Sequence, residues 1–356
     1  MPMFDRFRRR PETHGAVLKR LGGRGSPVSP DEATTPGEES PAESSREPAV
    51  ILRGLTKRFG SFTAVDSVDL DVARGEIYGF LGPNGCGKTT TIRMLTGSLV
   101  PTEGAAQVLG EDVRRHPERV KRRIGYMSQK FSLFEDLSVA ENLRFYAGVY
   151  GIDDASLPEV VRETIAAAGL TGREDELPAH LSVGVRQRLA LGAATIHHPE
   201  ILFLDEPTSG VDPIARREFW DRLYALAARG VTLFVTTHYM EEASNCTRLA
   251  FMYRGRIIAD GTPSHIRTET IRHRIVEVSG LRDADEALTW LEQQPDVQEV
   301  YAAGARLHVS LAEDAPQATD TLAPRLAAAG FGEATITPVE PTMEDVFVHL
   351  ATRAGT

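Results

Sequence analysis

Gly82-Pro83-Asn84-Gly85-Cys86-Gly87-Lys88-Thr89-Thr90 is the stretch whose reading decides the fold. Gly82, Gly87, Lys88 and Thr89 hold the fixed places of the pattern G-x-x-x-x-G-K-[ST]. An apolar run of strand length, Glu76–Leu81, precedes it, and Thr90–Leu95 after it reads as a helix. Strand, glycine loop and helix together make a phosphate site. Glycines let backbone N–H groups converge on an anion with no Cβ in the way. The helix N-terminus adds its unpaired donors and a positive dipole end. Lys88 is placed to reach the β- and γ-phosphates, and the Thr89 hydroxyl to hold Mg²⁺. Cys86 reads as a small residue filling a permissive position, although a helix N-terminus also makes a thiol reactive to alkylating reagents.

Working outward, Ile201-Leu202-Phe203-Leu204-Asp205-Glu206 is the next informative run. Four consecutive apolar residues read as a strand buried on both faces. Two carboxylates at its end are costly there unless they hold a cation or polarise a water. Asp205 fits the Walker-B role of holding Mg²⁺. Glu206 is expected to point the other way along the strand and to act as general base on the attacking water. Val231–Val235 is a second buried strand, closed by Thr236-Thr237-His238. A histidine at that strand end is placed to meet the γ-phosphate.

The 356 residues suffice for about two domains; they are 41% hydrophobic and 25% charged, ordinary for a globular chain. No apolar run approaches the roughly 18 residues of a membrane span, and the arginines near the start are not followed by the apolar segment of a secretory signal. A net charge of −10 argues against a general nucleic-acid binder. Two cysteines, Cys86 and Cys246, imply no disulfide framework and suit a reducing compartment.

Residues 1 to 48 read as a disordered tail, first basic and then rich in Pro, Glu and Ser. Order is expected from Ala49, with a strand to Leu55, a basic turn Lys57-Arg58-Phe59-Gly60, and a strand from Phe62 to Val72. Taken alone, Phe59 reads as a core residue. Ala105–Leu109 and Arg123–Met127 read as strands, with Gln129 directly after the second. A helical region is expected over about 131–197. It holds a capping box, Ser138-Val139-Ala140-Glu141, opening a helix through Tyr150, a second helix over 157–168, and a third with Ser182 at its N-cap. Asp212-Pro213 begins a helix through Arg229, and Arg248–Asp260 reads as a hairpin. Residues 275–338 alternate as β-α-β-β-α-β, a ferredoxin-like order without a catalytic constellation.

These motifs, in this order, carry a family. Gly82–Thr89, Gln129, Leu181–Arg188, Ile201–Glu206, Ser209-Gly210-Val211-Asp212 and His238 resemble the ATP-binding subunits of ABC transporters over about residues 49–262. Pro101–Gly104, Phe134–Asn142 and Thr237–Glu242 look more like the ABC-2-type drug and antibiotic export subgroup than like importers. The resemblance implies an α/β P-loop NTPase fold: a RecA-like core with an antiparallel β subdomain and an α-helical subdomain, then a small α+β ferredoxin-like C-terminal domain. It implies an ATPase domain over 49–268 and an accessory domain over 271–356, the latter ending like the extension of drug-export ATPases. It further implies that ATP contacts residues 82–90 and stacks on Phe59. Gln129 senses Mg²⁺ and the membrane partner, and His238 contacts the γ-phosphate. Ser182 and Gly184 complete the site of a second copy, with Asp212 at the dimer seam. The partners implied are an ABC-2-type permease and a second ATPase domain, identical or different, at the cytoplasmic face of the membrane, with no nucleic acid. The rival is a soluble cassette ATPase acting on ribosomes or DNA. Against it stand the single cassette and the lack of sustained heptads between the Walker motifs.

One departure stands out. The family usually reads Leu-Ser-Gly-Gly-Gln where this chain has Leu181-Ser182-Val183-Gly184-Val185. A β-branched Val183 does not take a positive φ cheaply. Either the loop uses ordinary dihedrals here, or contact with the partner's γ-phosphate is weaker and turnover slower.

Overall fold

The computed structural model describes residues 47–129, 133–271, 274–304, 306–312, 318–332 and 334–355. Of the tail expected over 1–48, residues 1–46 lie outside them, while Pro48 already opens the first strand; residues 131–132, expected to begin the helical region, and Gln317, the expected start of a helix, also lie outside them. Strand β1 (Pro48–Phe59) and strand β2 (Phe62–Ala73) form a hairpin in which Phe59 pairs with Phe62. The basic turn expected over 57–60 is therefore strand through Phe59. Gly60, at φ 58, and Ser61 close the connection by themselves.

Strand β3 (Ile77–Leu81) is buried at every position and runs into the phosphate loop, after which helix α1 spans Lys88–Leu95. Next come β4 (Glu103–Val108), the short β5 (Glu111–Asp112), α2 (Pro117–Arg123) and β6 (Ile124–Met127). Helix α2 was not anticipated, although it opens on proline, carries Glu118 in its first turn and ends on Lys121, Arg122 and Arg123, charges that suit the two ends of the helix dipole. The helical region holds α3 (Val139–Val149), α4 (Leu157–Ala167) and α5 (Val183–Thr195). The capping box at α3 is complete: Glu141 N–H donates to Ser138 Oγ at 3.3 Å and Ser138 N–H to Glu141 Oε2 at 2.8 Å. Then follow β7 (Ile201–Asp205), α6 (Pro213–Ala227), β8 (Thr232–Thr237), the hairpin β9 (Arg248–Tyr253) and β10 (Arg256–Gly261), and α7 (Pro263–Thr270).

The central sheet has the order β10-β9-β3-β8-β7-β6, parallel throughout except for the β9–β10 hairpin. A second, antiparallel sheet has the order β2-β1-β4-β5. Phe80, Phe203 and Phe234 lie between the two, packed with Leu52, Val65 and Ile92. On the other face Leu202, Leu204, Leu233 and Val235 pack against Leu191 of α5 and Phe219, Trp220 and Leu223 of α6. Both faces are covered, which explains continuous apolar runs in place of alternation. Truncating a ring such as Phe203 to alanine costs about 3–5 kcal/mol by analogy with buried aromatics.

The remaining elements are β11 (Ile275–Ser279), α8 (Ala284–Leu291), β12 (Val297–Ala303), β13 (Arg306–Leu311), α9 (Ala318–Ala328), β14 (Thr335–Val339) and α10 (Met343–Gly355). Their antiparallel sheet, β12-β13-β11-β14, is the ferredoxin-like arrangement. Helix α10 has no counterpart in the sequence reading. It turns back: Val346, Phe347 and Leu350 join Leu81, Leu249, Phe251 and Ile266 in one apolar cluster.

Candidate active site

Parallel pairing brings the carboxyl ends of four strands to one edge. Leu81 is level with Thr237, Asp205 with Thr236, and Met127 with Leu204. The residues that follow each strand therefore meet, in the crevice where open α/β sheets bind ligands. From β3 comes the glycine loop with Lys88 and Thr89, from β6 Gln129, from β7 Asp205 and Glu206, and from β8 His238.

The loop closes too tightly for side chains. A Cβ on Gly82 would lie 2.2 Å from Met252 O, and one on Gly87, at φ 118, 2.5 Å from Ala64 O. Lys88 is buried, and its Nζ donates to Gly82 O at 2.7 Å and Pro83 O at 3.1 Å and lies 3.2 Å from Glu206 Oε1. Cys86 is buried as well, and burial pushes its thiol above the usual range. Burial agrees with the reading of Cys86 as a small filling residue and works against activation of the thiol by the helix terminus.

Glu206 corrects an expectation. It is not the next residue of a strand, because β7 ends at Asp205 and Glu206 has φ 50, a left-handed conformation rare outside glycine. Its N–H donates to Thr236 O at 3.1 Å and Thr236 Oγ1 at 3.0 Å, which over-determine the turn. The carboxylate lies 3.2 Å from His238 Nδ1 and accepts from Gln129 Nε2 at 3.0 Å. Asp205 accepts from Thr89 Oγ1 at 3.1 Å and Thr236 Oγ1 at 2.9 Å; burial holds its carboxyl above the ordinary value against both hydrogen bonds. Thr236, a partner of both acids, was not singled out by the sequence reading, although it sits inside the quoted strand end.

Among the described residues no group of three His, Cys, Asp or Glu could hold a metal. The chemistry present instead is one carboxylate, Asp205, touching one hydroxyl, Thr89, with the Gln129 amide nearby on Glu206. Such a sparse set of hard oxygen donors fits Mg²⁺, which binds through one or two carboxylates and completes its shell with water and substrate phosphate.

No described hydrogen bond or ion pair joins Phe59, Ser182, Gly184 or Asp212 to this cluster. Phe59 is half exposed at the end of β1 rather than in the core, with Lys57 Nζ 5.2 Å from its ring centre. Asp212 caps α6, accepting from the N–H groups of Ile214 at 3.1 Å and Ala215 at 3.0 Å; such a cap is worth about 1 kcal/mol. Ser182 is the N-cap of α5, yet its hydroxyl makes no capping bond. Gly184 faces α6, where an added Cβ would meet Ala215 Cβ at 2.8 Å. Val183 is the first residue of α5 and has no positive φ, so the departure from the usual signature strains nothing. Val185 packs against the α3–α4–α5 core.

A parallel sheet, a glycine loop opening a helix and an acid at the end of the next strand but one define the P-loop class of nucleotide-binding proteins. Within that class the chain belongs to the ATP-binding subunits of ABC transporters. The ABC transporter family matches residues 65–209, and residues 261–351 match the C-terminal domain of ATP-binding proteins like DrrA1-3. It is 44% identical over 276 residues to the probable multidrug ABC transporter ATP-binding protein YbhF of Escherichia coli, covering 76% of this chain but only 46% of that one. It is 36% identical to the Nod factor export ATP-binding protein I of Cupriavidus metallidurans, over 85% of this chain and 97% of that one. With the daunorubicin resistance ATP-binding protein DrrA3 of Streptomyces coeruleorubidus it shares 35% identity, over 85% and 95%. Among solved structures, an ATP-binding subunit of an ABC transporter superposes with a TM-score of 0.57 at 28% identity, covering 62% of this chain and 92% of that one. The cassette MJ0796, solved as a dimer with ADP and Pi, gives 0.56 at 25%, covering 60% and 98%.

Proposed function

We propose that the chain hydrolyses ATP between two such domains and thereby powers a separate ABC-2-type permease that exports drugs or other small molecules. The observation that carries this is the convergence of Lys88, Gln129 and His238 on Glu206, beside the Thr89–Asp205 contact. Lys88 draws the β- and γ-phosphates into the glycine loop. Thr89 and Asp205, with Gln129, hold Mg²⁺, which supplies charge neutralisation at the phosphates. Glu206 takes the proton of the water that attacks the γ-phosphate in line, and His238 steadies both Glu206 and the phosphate. Catalysis is then mostly positioning and charge stabilisation. Phe59, on its half-exposed strand end, stacks on the adenine.

The free Ser182 hydroxyl at the start of α5 supports a role toward the phosphate of a second copy, with Asp212 at the seam. Phe134, ahead of α3, and Phe145 on α3 are exposed and touch edge to face, their ring centres 4.5 Å apart. That aromatic pair suits a helix of the permease, docked at the cytoplasmic face of the membrane. No described helix is long and apolar enough to cross a membrane. The relatives' names give multidrug transport, Nod factor export and daunorubicin resistance, which support an export reading.

The test is affinity purification of tagged Glu206→Gln from detergent-solubilised cells with ATP present. Stoichiometric recovery of a polytopic membrane protein supports the reading and supplies the permease. Recovery of ribosomes or DNA-bound proteins with no membrane partner refutes it.

A further inference from the structure

Glu242 lies in the 3-10 turn Met240–Asn245, beyond the His238 loop, and is 2% exposed. A buried carboxylate is costly unless several donors hold it. Here the donors come from the other catalytic loop. Thr208 Oγ1, fully buried and two residues past Glu206, donates to Glu242 Oε1 at 2.6 Å. Trp220 Nε1 of α6 donates to the same oxygen at 3.2 Å, and Arg216 Nε lies 3.9 Å from it. The Arg216 guanidinium also sits 4.2 Å from the centre of the Tyr239 ring, and the Tyr239 ring lies 4.1 Å from that of His238. Among the described residues Glu242 Oε2 has no hydrogen-bond partner. This carboxylate is thus satisfied on one oxygen only, by groups that tie the β7–α6 loop and α6 to the loop after β8.

We propose that Glu242 is a positioning residue for hydrolysis. Through Thr208 it holds the Glu206 turn, and through Arg216 and Tyr239 the His238 ring, so that one buried carboxylate sets the distance between the two groups. It touches no phosphate itself. The inference rests on the reading of Glu206 and His238 given above. Removing the acceptor lets the two loops drift, and misplacement by about 1 Å at a catalytic centre costs on the order of 10²-fold in rate.

Steady-state ATPase and ATP binding are measured on the purified full chain, with activity expressed per folded molecule from a thermal melt. Glu242→Ala lowers kcat about 10- to 100-fold and leaves the ATP Kd within about twofold. Glu242→Gln, which keeps an acceptor for Thr208 and Trp220, recovers most of the loss. Thr208→Val reproduces most of the alanine effect and adds little to it, because both act through one contact. Wild-type kcat per folded molecule in Glu242→Ala and Thr208→Val would overturn the proposal, as would losses that multiply in the double variant. If Glu242→Ala does not fold, Thr208→Val alone decides. Glu206→Gln is run in parallel. If it hydrolyses ATP at the wild-type rate, the reading of the base fails. If it is inactive while Thr208→Val is fully active, only the positioning role fails.

Discussion

Two of the carboxylate–histidine pairs among the described residues do different things. Glu206 lies 3.2 Å from His238 Nδ1, and Asp345 lies 2.7 Å from His308 Nδ1. Both acids are buried. Around Glu206 gather Lys88 and Gln129, and the His238 side chain is 27% exposed. Around Asp345 gather the Thr342 N–H and hydroxyl, and His308 meets Tyr301 OH at 3.3 Å and Glu277 at 3.8 Å, with its side chain 9% exposed. The second pair starts α10 and fastens it to the C-terminal sheet. A carboxylate beside a histidine is therefore not a catalytic mark by itself. The first pair differs in standing where four parallel strand ends meet and in resting on a left-handed turn, a conformation kept only where the surroundings impose it.

The comparison is broken most severely at Lys88. Lys88→Ala removes the cation between the glycine loop and Glu206, and ATP affinity in a titration is expected to fall by about 100-fold or more, the scale of a lost buried charge partner. Glu206→Gln should keep ATP binding and lower kcat by about 10²-fold or more, whereas Asp345→Asn should leave kcat within about twofold. Equal losses in the two variants would erase the distinction. His238→Ala is expected to reduce kcat by a smaller factor, about 10-fold, read in the same assay.

The smallest effect is on stability. Burial raises the Asp345 carboxyl from 3.8 to about 6, partly opposed by the Thr342 N–H. An acid whose folded pKa lies above its unfolded one binds the proton more tightly when folded, so its contribution is fully present below 3.8 and lost as pH rises through about 6. The advantage in melting temperature of wild type over Asp345→Asn should shrink between pH 4 and 6. A constant difference would contradict the assignment.

Much of the fold was legible because it rests on local chemistry. The phosphate loop, the capping box at Ser138 and the buried runs at Ile201 and Val231 each announce themselves within four to nine residues. The ferredoxin-like order followed from alternation alone. The misreadings have non-local causes. Lys57–Phe59 carries turn-like charge but is recruited as strand by its pairing with β2. Glu206 leaves the strand because Thr236, thirty residues away, captures its N–H. Glu242 looks like any surface acid in a polar run until Thr208 and Trp220 close on it. Helix α10 has an ordinary amphipathic sequence, and nothing in it says which apolar surface it will cover.

That surface has a practical consequence for anyone cutting the gene. Val346, Phe347 and Leu350 shield Leu249, Phe251 and Ile266. An excised cassette ending near residue 270 would keep every group around Lys88 yet present that apolar patch to water, an invitation to aggregate. The accessory domain is then less a detachable module than the lid of its neighbour's core. A soluble minimal cassette is better sought by mutating the patch to polar residues than by moving the cut site.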